Sequence, residues 1–197
     1  MSLSVQVVLK DLNQALVRAW EDSFADVKGV EVVADDFFAT PADAVVSPAN
    51  SFGVMDGGLD LLIRSTLPGI EQTVQDRIVA KYHGEMPVGC AEVVETSHSD
   101  WPYLVCAPTM RVPENIGRTI NPYLAMRATL LAVLRFNTEH GPRIGTLVVP
   151  GLGTGVGRVA PRRCASQMRL AYDMVAGSPD IPSLQAIHST HIRLLGE

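Results

Sequence analysis

The chain has 197 residues, of which 47% are hydrophobic and 19% charged, and carries a net charge of −5. Those values suit one sizeable soluble domain spanning residues 1–197 and supply no apolar run long enough for a membrane span. They also argue against duplex nucleic acid, whose affinity comes largely from neutralising phosphates.

The N-terminus has no basic stretch ahead of a long apolar run, so a cytoplasmic protein without a membrane partner is expected. Ser4 to Lys10 reads as a strand. Asp11 to Phe24 reads as an amphipathic helix, with Leu12, Leu16, Ala19, Trp20 and Phe24 at helical spacing and Asp11 as its N-cap. Val30–Ala34 and Asp43–Ser47 read as strands, the second stopped by Pro48, which cannot donate to a ladder. A helix follows Gly57-Gly58, is interrupted at Pro68-Gly69, and resumes from Ile70 to Tyr82. Ala91–Thr96 and Tyr103–Ala107 read as strands, and residues 108–119 as a loop. Asn121–Phe136 is a strong helix with Pro122 in its first turn. Ile144–Val149 is an apolar strand suited to burial on both faces. Helices are expected from Pro161 to about Val175 and from Ser183 to Leu195. Strands alternating with helices predict an α/β fold with a mostly parallel sheet covered on both faces.

Cys90, Cys106 and Cys164 are odd in number and widely spaced, which predicts neither a disulfide framework nor a zinc site. His188 and His191 have helical spacing but no accompanying carboxylate or third ligand, so no metal site and no cofactor are expected.

Two strand-to-helix loops are rich in glycine. One is Val149-Pro-Gly-Leu-Gly-Thr-Gly-Val-Gly157; the other is Ser47-Pro-Ala-Asn-Ser-Phe-Gly-Val-Met-Asp-Gly-Gly-Leu-Asp60. Glycine lets backbone amides approach a ligand, and a helix N-terminus adds unpaired N–H groups and partial positive charge. Such loops bind anions, typically phosphate, at the carboxyl ends of strands. Neither is a dinucleotide fingerprint or a P-loop: the last glycine of G-x-G-x-x-G would fall on Val156, and no Gly-Lys-Ser/Thr follows. Two such strand-to-helix loops suit a diphosphate held between them. Asn50 and Asp60 within the first loop suit sugar hydroxyls and a bound water.

Together these stretches resemble the macro domain family, over residues 30–175. The family's G-D-[IL]-T and V-N-A-A-N motifs are similar to Ala34-Asp-Asp-Phe-Phe and Asp43-Ala-Val-Val-Ser-Pro-Ala-Asn50, followed by Asp56-Gly-Gly-Leu-Asp60. The C-P-x-G-x-A-x-x-T motif is similar to the stretch after Pro87, and [AI]-S-T-G-[VI]-[FY]-G-Y-P to Leu152-Gly-Thr-Gly-Val-Gly-Arg-Val-Ala. The resemblance implies a three-layer α/β/α fold with a mixed, mostly parallel sheet. It implies recognition of ADP-ribose or a derivative, free or on an ADP-ribosylated protein. It further implies hydrolysis of a mono-ADP-ribosyl protein or O-acetyl-ADP-ribose, with a non-catalytic binding module as the alternative.

Residue by residue, the resemblance implies that Asp36 accepts the adenine amino hydrogens and Phe37 borders the adenine. Asn50 would bond the distal ribose, and Gly57 and Gly58 would bring amides to the diphosphate and the distal ribose. Asp60 would orient or activate a water. Gly153, Thr154, Gly155, Val156 and Gly157 would wrap the diphosphate from the other side. Ser47 and Pro48 depart from the motif's Asn-Ala, Met55 and Asp56 from its glycines, and Gly157 from its aromatic, with Arg158 next in place of glycine. A more open pocket over the distal ribose follows, which Arg158 would help to cap. Plainer readings stand beside these: Asp60 matches a helix dipole, Asn50 can tie down a turn, and Asp35 competes with Asp36.

Overall fold

A computed structural model describes residues 3–196. Six strands are present: β1 Gln6–Lys10, β2 Val30–Val33, β3 Ala44–Ser47, β4 Glu92–Glu95, β5 Tyr103–Cys106 and β6 Thr146–Val149. Six helices accompany them: α1 Gln14–Phe24, α2 Gly58–Thr66, α3 Ile70–Tyr82, α4 Asn121–His140, α5 Pro161–Ala176 and α6 Leu184–Gly196. The strands form one sheet in the order β2-β1-β6-β3-β5-β4, parallel throughout except for β4, which runs antiparallel to β5 at the edge. The fold class is therefore the expected α/β type with a mixed, mostly parallel sheet.

Side-chain alternation along the strands feeds two cores. Val7, Leu9, Ala44, Val46, Val105, Leu147 and Val149 face α1, α4 and α5, where Leu16, Trp20, Met126, Leu130, Met168 and Tyr172 are buried. Val8, Val45, Leu104 and Val148 face the other way, onto Ile63 and Leu67 of the α2 segment and Ile70, Val74 and Ile78 of α3. Central strands buried on both faces explain the near-continuous apolar runs at β3 and β6.

Two details differ from the sequence expectation. Helix α1 begins at Gln14, and its cap is Asn13, whose side chain accepts from the amides of Ala15 and Leu16. Asp11 instead accepts from Asn13 N, shaping the turn ahead of the cap. Helix α4 continues one turn past Phe136 to His140 because no breaker intervenes before Gly141.

The ladder between β3 and β6 is short. It joins Ala44 to Leu147 and Val45 to Val148 and stops, whereas β3 pairs with β5 through to Ser47 and β1 with β6 through to Val149. The sheet therefore parts between the carboxyl ends of β3 and β6, where the two glycine-rich loops leave it.

Candidate functional site

A cavity of about 490 Å³ lies at that parting. The first glycine loop supplies Pro48, Ala49, Asn50 and residues 56–60; the second supplies Pro150, Gly151 and residues 153–157. Asp11 and Asn13 line it from the β1–α1 turn, and Thr109, Met110 and Pro113 from the loop after β5. A crevice outside the carboxyl ends of parallel strands is the usual ligand position in such sheets.

The glycines are there for different reasons. Gly58 and Gly153 adopt φ of +57° and +72°, a region that costs other residues strain. At Gly157 a Cβ would lie 2.5 Å from the Gly153 carbonyl oxygen and 2.7 Å from Ile116. The position that departs from the family's aromatic thus has no room for any side chain. Gly57 and Gly155 have neither constraint: Gly57 is extended, Gly155 is not among the positive-φ glycines, and nothing lies within 4 Å of where either Cβ would stand. Their bare backbones face open space on opposite loops.

Helix α2 starts at Gly58 with Gly57 as a cap that has no side chain, so its first-turn amides have no capping acceptor. Across the cavity, the amides of Thr154, Gly155, Val156 and Gly157 have no acceptor among the described residues. The lining contains Asp11, Asp56 and Asp60 and no Lys, Arg or His. An anionic ligand here would rest on backbone N–H groups and helix polarity, not on a cationic side chain.

Asp60 sits in the first turn of α2 and is partly buried. Its Oδ1 accepts a hydrogen bond from Ser47 Oγ at 2.6 Å. Burial pushes its pKa up to about 6; the Ser47 hydroxyl opposes that rise and the nearby Asp56 adds to it. Desolvation outweighs the helix dipole, which would favour the carboxylate.

Asn50 lines the same cavity, ten residues earlier. Its Nδ2 donates to Val54 O at 2.7 Å, and its Oδ1 accepts from Phe52 N and Val54 N. The side chain ties its own loop together. Thr154 does likewise in the second loop, donating to Gly151 O.

Three expected contacts are not brought to this cavity. Asp36 is exposed, and its Oδ1 accepts from Phe38 N to close the turn after β2. Phe37 is buried in the core on the α2–α3 side and packs edge-on against Phe38. Arg158 is exposed, adopts φ of +53° and donates its backbone N–H to Gly155 O. Asp11 and Asn13 were not singled out from the sequence as site residues, although Asp11 follows β1 directly and so lies at the same edge of the sheet. Asp11 Oδ2 accepts from Gly151 N, linking its turn to the second glycine loop.

The loop after β5 joins the two glycine loops. Thr109 N donates to Ala49 O and Ser51 N to Met110 O, while Ile116 N donates to Gly157 O. Arg111 forms a two-pronged pair with Glu85 and stands over the Phe52 ring, so its charge is engaged outside the cavity. Arg64, one turn past Asp60, is held by Glu71, which also accepts from Met55 N.

No His, Cys, Asp and Glu cluster suited to a metal ion occurs among the described residues, and none of the described helices is long and apolar enough to cross a membrane. Cys106 and Cys164 are buried with their thiol pKa values raised by desolvation, which leaves them unreactive.

The fold and sequence have known counterparts. The chain is 30% identical to an uncharacterised protein of Aeropyrum pernix over 72% of its own length and 69% of the relative's. It is also 30% identical to an uncharacterised protein of Aquifex aeolicus, over 70% of its own length and 76% of that protein's. Among solved structures it is similar to the macrodomain of Mycobacterium tuberculosis DarG, with a TM-score of 0.58 and 21% identity over 73% of this chain and 90% of that one. Thermosipho africanus DarTG, solved in complex with ADP-ribose, gives a TM-score of 0.54 at 17% identity, over 84% of this chain and 52% of its own. A macrodomain variant from Oceanobacillus iheyensis, solved with ADPR, gives 0.54 at 13% identity, over 70% of this chain and 73% of its own. A family model described as the Macro domain matches residues 46–168, more than half of the chain, and the protein belongs to that family.

Proposed function

We propose that the cavity binds ADP-ribose and that the protein hydrolyses an ADP-ribose conjugate, either a mono-ADP-ribosyl protein or O-acetyl-ADP-ribose. One observation carries this reading: two runs of backbone amides without an acceptor belong to opposite walls of one cavity, with the partly buried carboxyl of Asp60 among its lining. The diphosphate lies between the first turn of α2 and the loop from Gly153 to Gly157. Gly57 and Gly155 give it close access to the backbone from either side. The distal ribose lies toward Asn50, whose loop fixes the position of the glycines, and toward Asp60.

For a glycosidic conjugate the chemistry runs as follows. A water oxygen forms a bond to the anomeric carbon of the distal ribose. The bond from that carbon to the conjugated group breaks, and its electron pair leaves with that group. The water proton passes to Asp60, which at neutral pH is mostly ionised and then returns the proton to the departing group. The amides at the diphosphate hold the substrate in line for that attack. Adenine recognition by Asp36 and Phe37, and a cap from Arg158, remain part of the reading as contacts the bound state would have to form.

The alternative of a binding module without turnover is favoured by one feature: the Asn50 amide is already committed to its own loop. A thermal melt and titration calorimetry with ADP-ribose, ADP, AMP and NAD test the shared part. A ligand at a hundredfold over Kd stabilises by roughly 2.7 kcal/mol. A response led by ADP-ribose supports the site, and none from any nucleotide removes it. Release of ADP-ribose from conjugates by the wild type but not by Asp60→Asn separates the enzyme from the module.

A further inference from the structure

The end of β3 carries a serine whose hydroxyl bonds Asp60 and no other described group. Ser47 is the last residue of β3 and is fully buried. Alternation along the strand places it on the same face as Val45, toward α2 and α3. Its backbone is locked in register by pairing with Cys106, and its carbonyl accepts from Ala107 N. From that fixed position the hydroxyl donates to Asp60 Oδ1 at 2.6 Å, while Asp60 Oδ2 has no partner among the described residues.

We infer that Ser47 is the positioning residue for Asp60: it occupies one carboxylate oxygen and turns the other to the cavity as the proton acceptor. This inference rests on the proposed hydrolytic role of Asp60. A buried hydroxyl on a strand has little rotational freedom, so the carboxyl is held in one orientation before substrate arrives. A hydroxyl that donates to a carboxylate also favours the ionised form, the form a base requires.

The charged and titratable groups around Asp60 leave that task to Ser47. Asp56, from the preceding loop, and Asp11, from the β1–α1 turn, share the cavity and are acidic. The Cys106 thiol on β5 is buried and neutral. Arg64, on the same helix, is turned to Glu71. The cavity lining offers no cation, so the Ser47 hydrogen bond is the contact that counters burial.

The test compares wild type with Ser47→Ala and Ser47→Thr. Carbon-13 NMR of the Asp60 carboxyl over pH 4–9, without ligand, reads the ionisation directly. Ser47→Ala is expected to raise the Asp60 pKa by about one unit, the size expected for losing a hydrogen bond to a charged group. Ser47→Thr is expected to restore the wild-type value. The acid limb of the kcat profile is expected to move upward with it, with KM for the conjugate and ADP-ribose affinity at pH 9 within about twofold of wild type.

An unmoved carboxyl titration in Ser47→Ala would overturn the inference, as would a loss of kcat that is equal at every pH. Failure of ADP-ribose to bind wild type would instead remove the functional reading, and the carboxyl titration would still decide whether Ser47 controls Asp60. Melting curves and far-UV circular dichroism of both variants show that the comparison is made between folded proteins.

Discussion

Asp60 is at once a candidate base and a source of instability. Its folded pKa of about 6 lies above its ordinary value of 3.8, so between those values the folded state holds the proton more tightly than the unfolded state. Stability therefore falls as pH rises from about 4 to 6, and above that range the carboxylate costs about 3 kcal/mol. Asp60→Asn keeps an acceptor for Ser47 and removes the charge. It is expected to gain up to about 3 kcal/mol over wild type at pH 8 and only about 1 kcal/mol at pH 4.5, as denaturant unfolding at the two pH values will show. Turnover by the wild type is expected to rise with pH through about 6 as the same group ionises.

The glycines allow a second comparison between residues. Gly57→Ala and Gly155→Ala add a methyl group where the fold leaves space and the backbone accepts it. Gly155→Ala is expected to leave stability unchanged or raise it by roughly 0.4–1 kcal/mol, and Gly57→Ala to cost roughly 0.5–1 kcal/mol because alanine is a poorer helix cap than glycine, while calorimetry of both shows a large loss of ADP-ribose affinity. Gly153→Ala and Gly157→Ala meet Ile116, and the latter also meets a backbone carbonyl, so both are expected to lower the melting temperature. If Gly57→Ala and Gly155→Ala bind as tightly as wild type, the diphosphate does not lie against those backbones.

At the scale of elements, the loop of residues 108–118 joins the two sides of the cavity. Ile116 is 2% exposed and fills the space beneath Gly153 and Gly157. Ile116→Ala is expected to cost about 2–4 kcal/mol and to weaken ligand binding beyond that loss, because the second glycine loop loses its support. Thermal melts with and without ADP-ribose measure both effects.

Most elements were legible because their signals are local: alternation for the strands, helical spacing for α1 and α4, and Pro68-Gly69 between α2 and α3. The cap of α1 is ambiguous in the sequence because Asp11 and Asn13 are both good capping residues. Asn13 caps the helix, while the Asp11 carboxylate accepts from Asn13 N and from Gly151 N, 140 positions away. Asn50 and Asp60 could be placed beside the glycine loops from spacing alone. That the Asn50 amide is spent on Val54 and Phe52, and that Ser47 bonds Asp60, depends on packing that no local pattern encodes. Ser47 stood out in the sequence only as a departure from a motif.

At the scale of the molecule, the sheet consists of two three-stranded halves, β2-β1-β6 and β3-β5-β4, joined by the short β3–β6 ladder. The second half comes from one continuous stretch, residues 44–106, whereas the first is assembled from both ends of the described chain. The cavity lies where the halves diverge. A ligand that engages both glycine loops therefore acts as a rivet across a seam. Deuterium exchange in saturating ADP-ribose is expected to slow at residues 46–60 and 149–157 together, on both sides of the join, and to leave the β4 edge at its original rate. Protection on one side alone would mean that the ligand grips a single half, and the protein would then breathe along that seam whether the site was filled or empty.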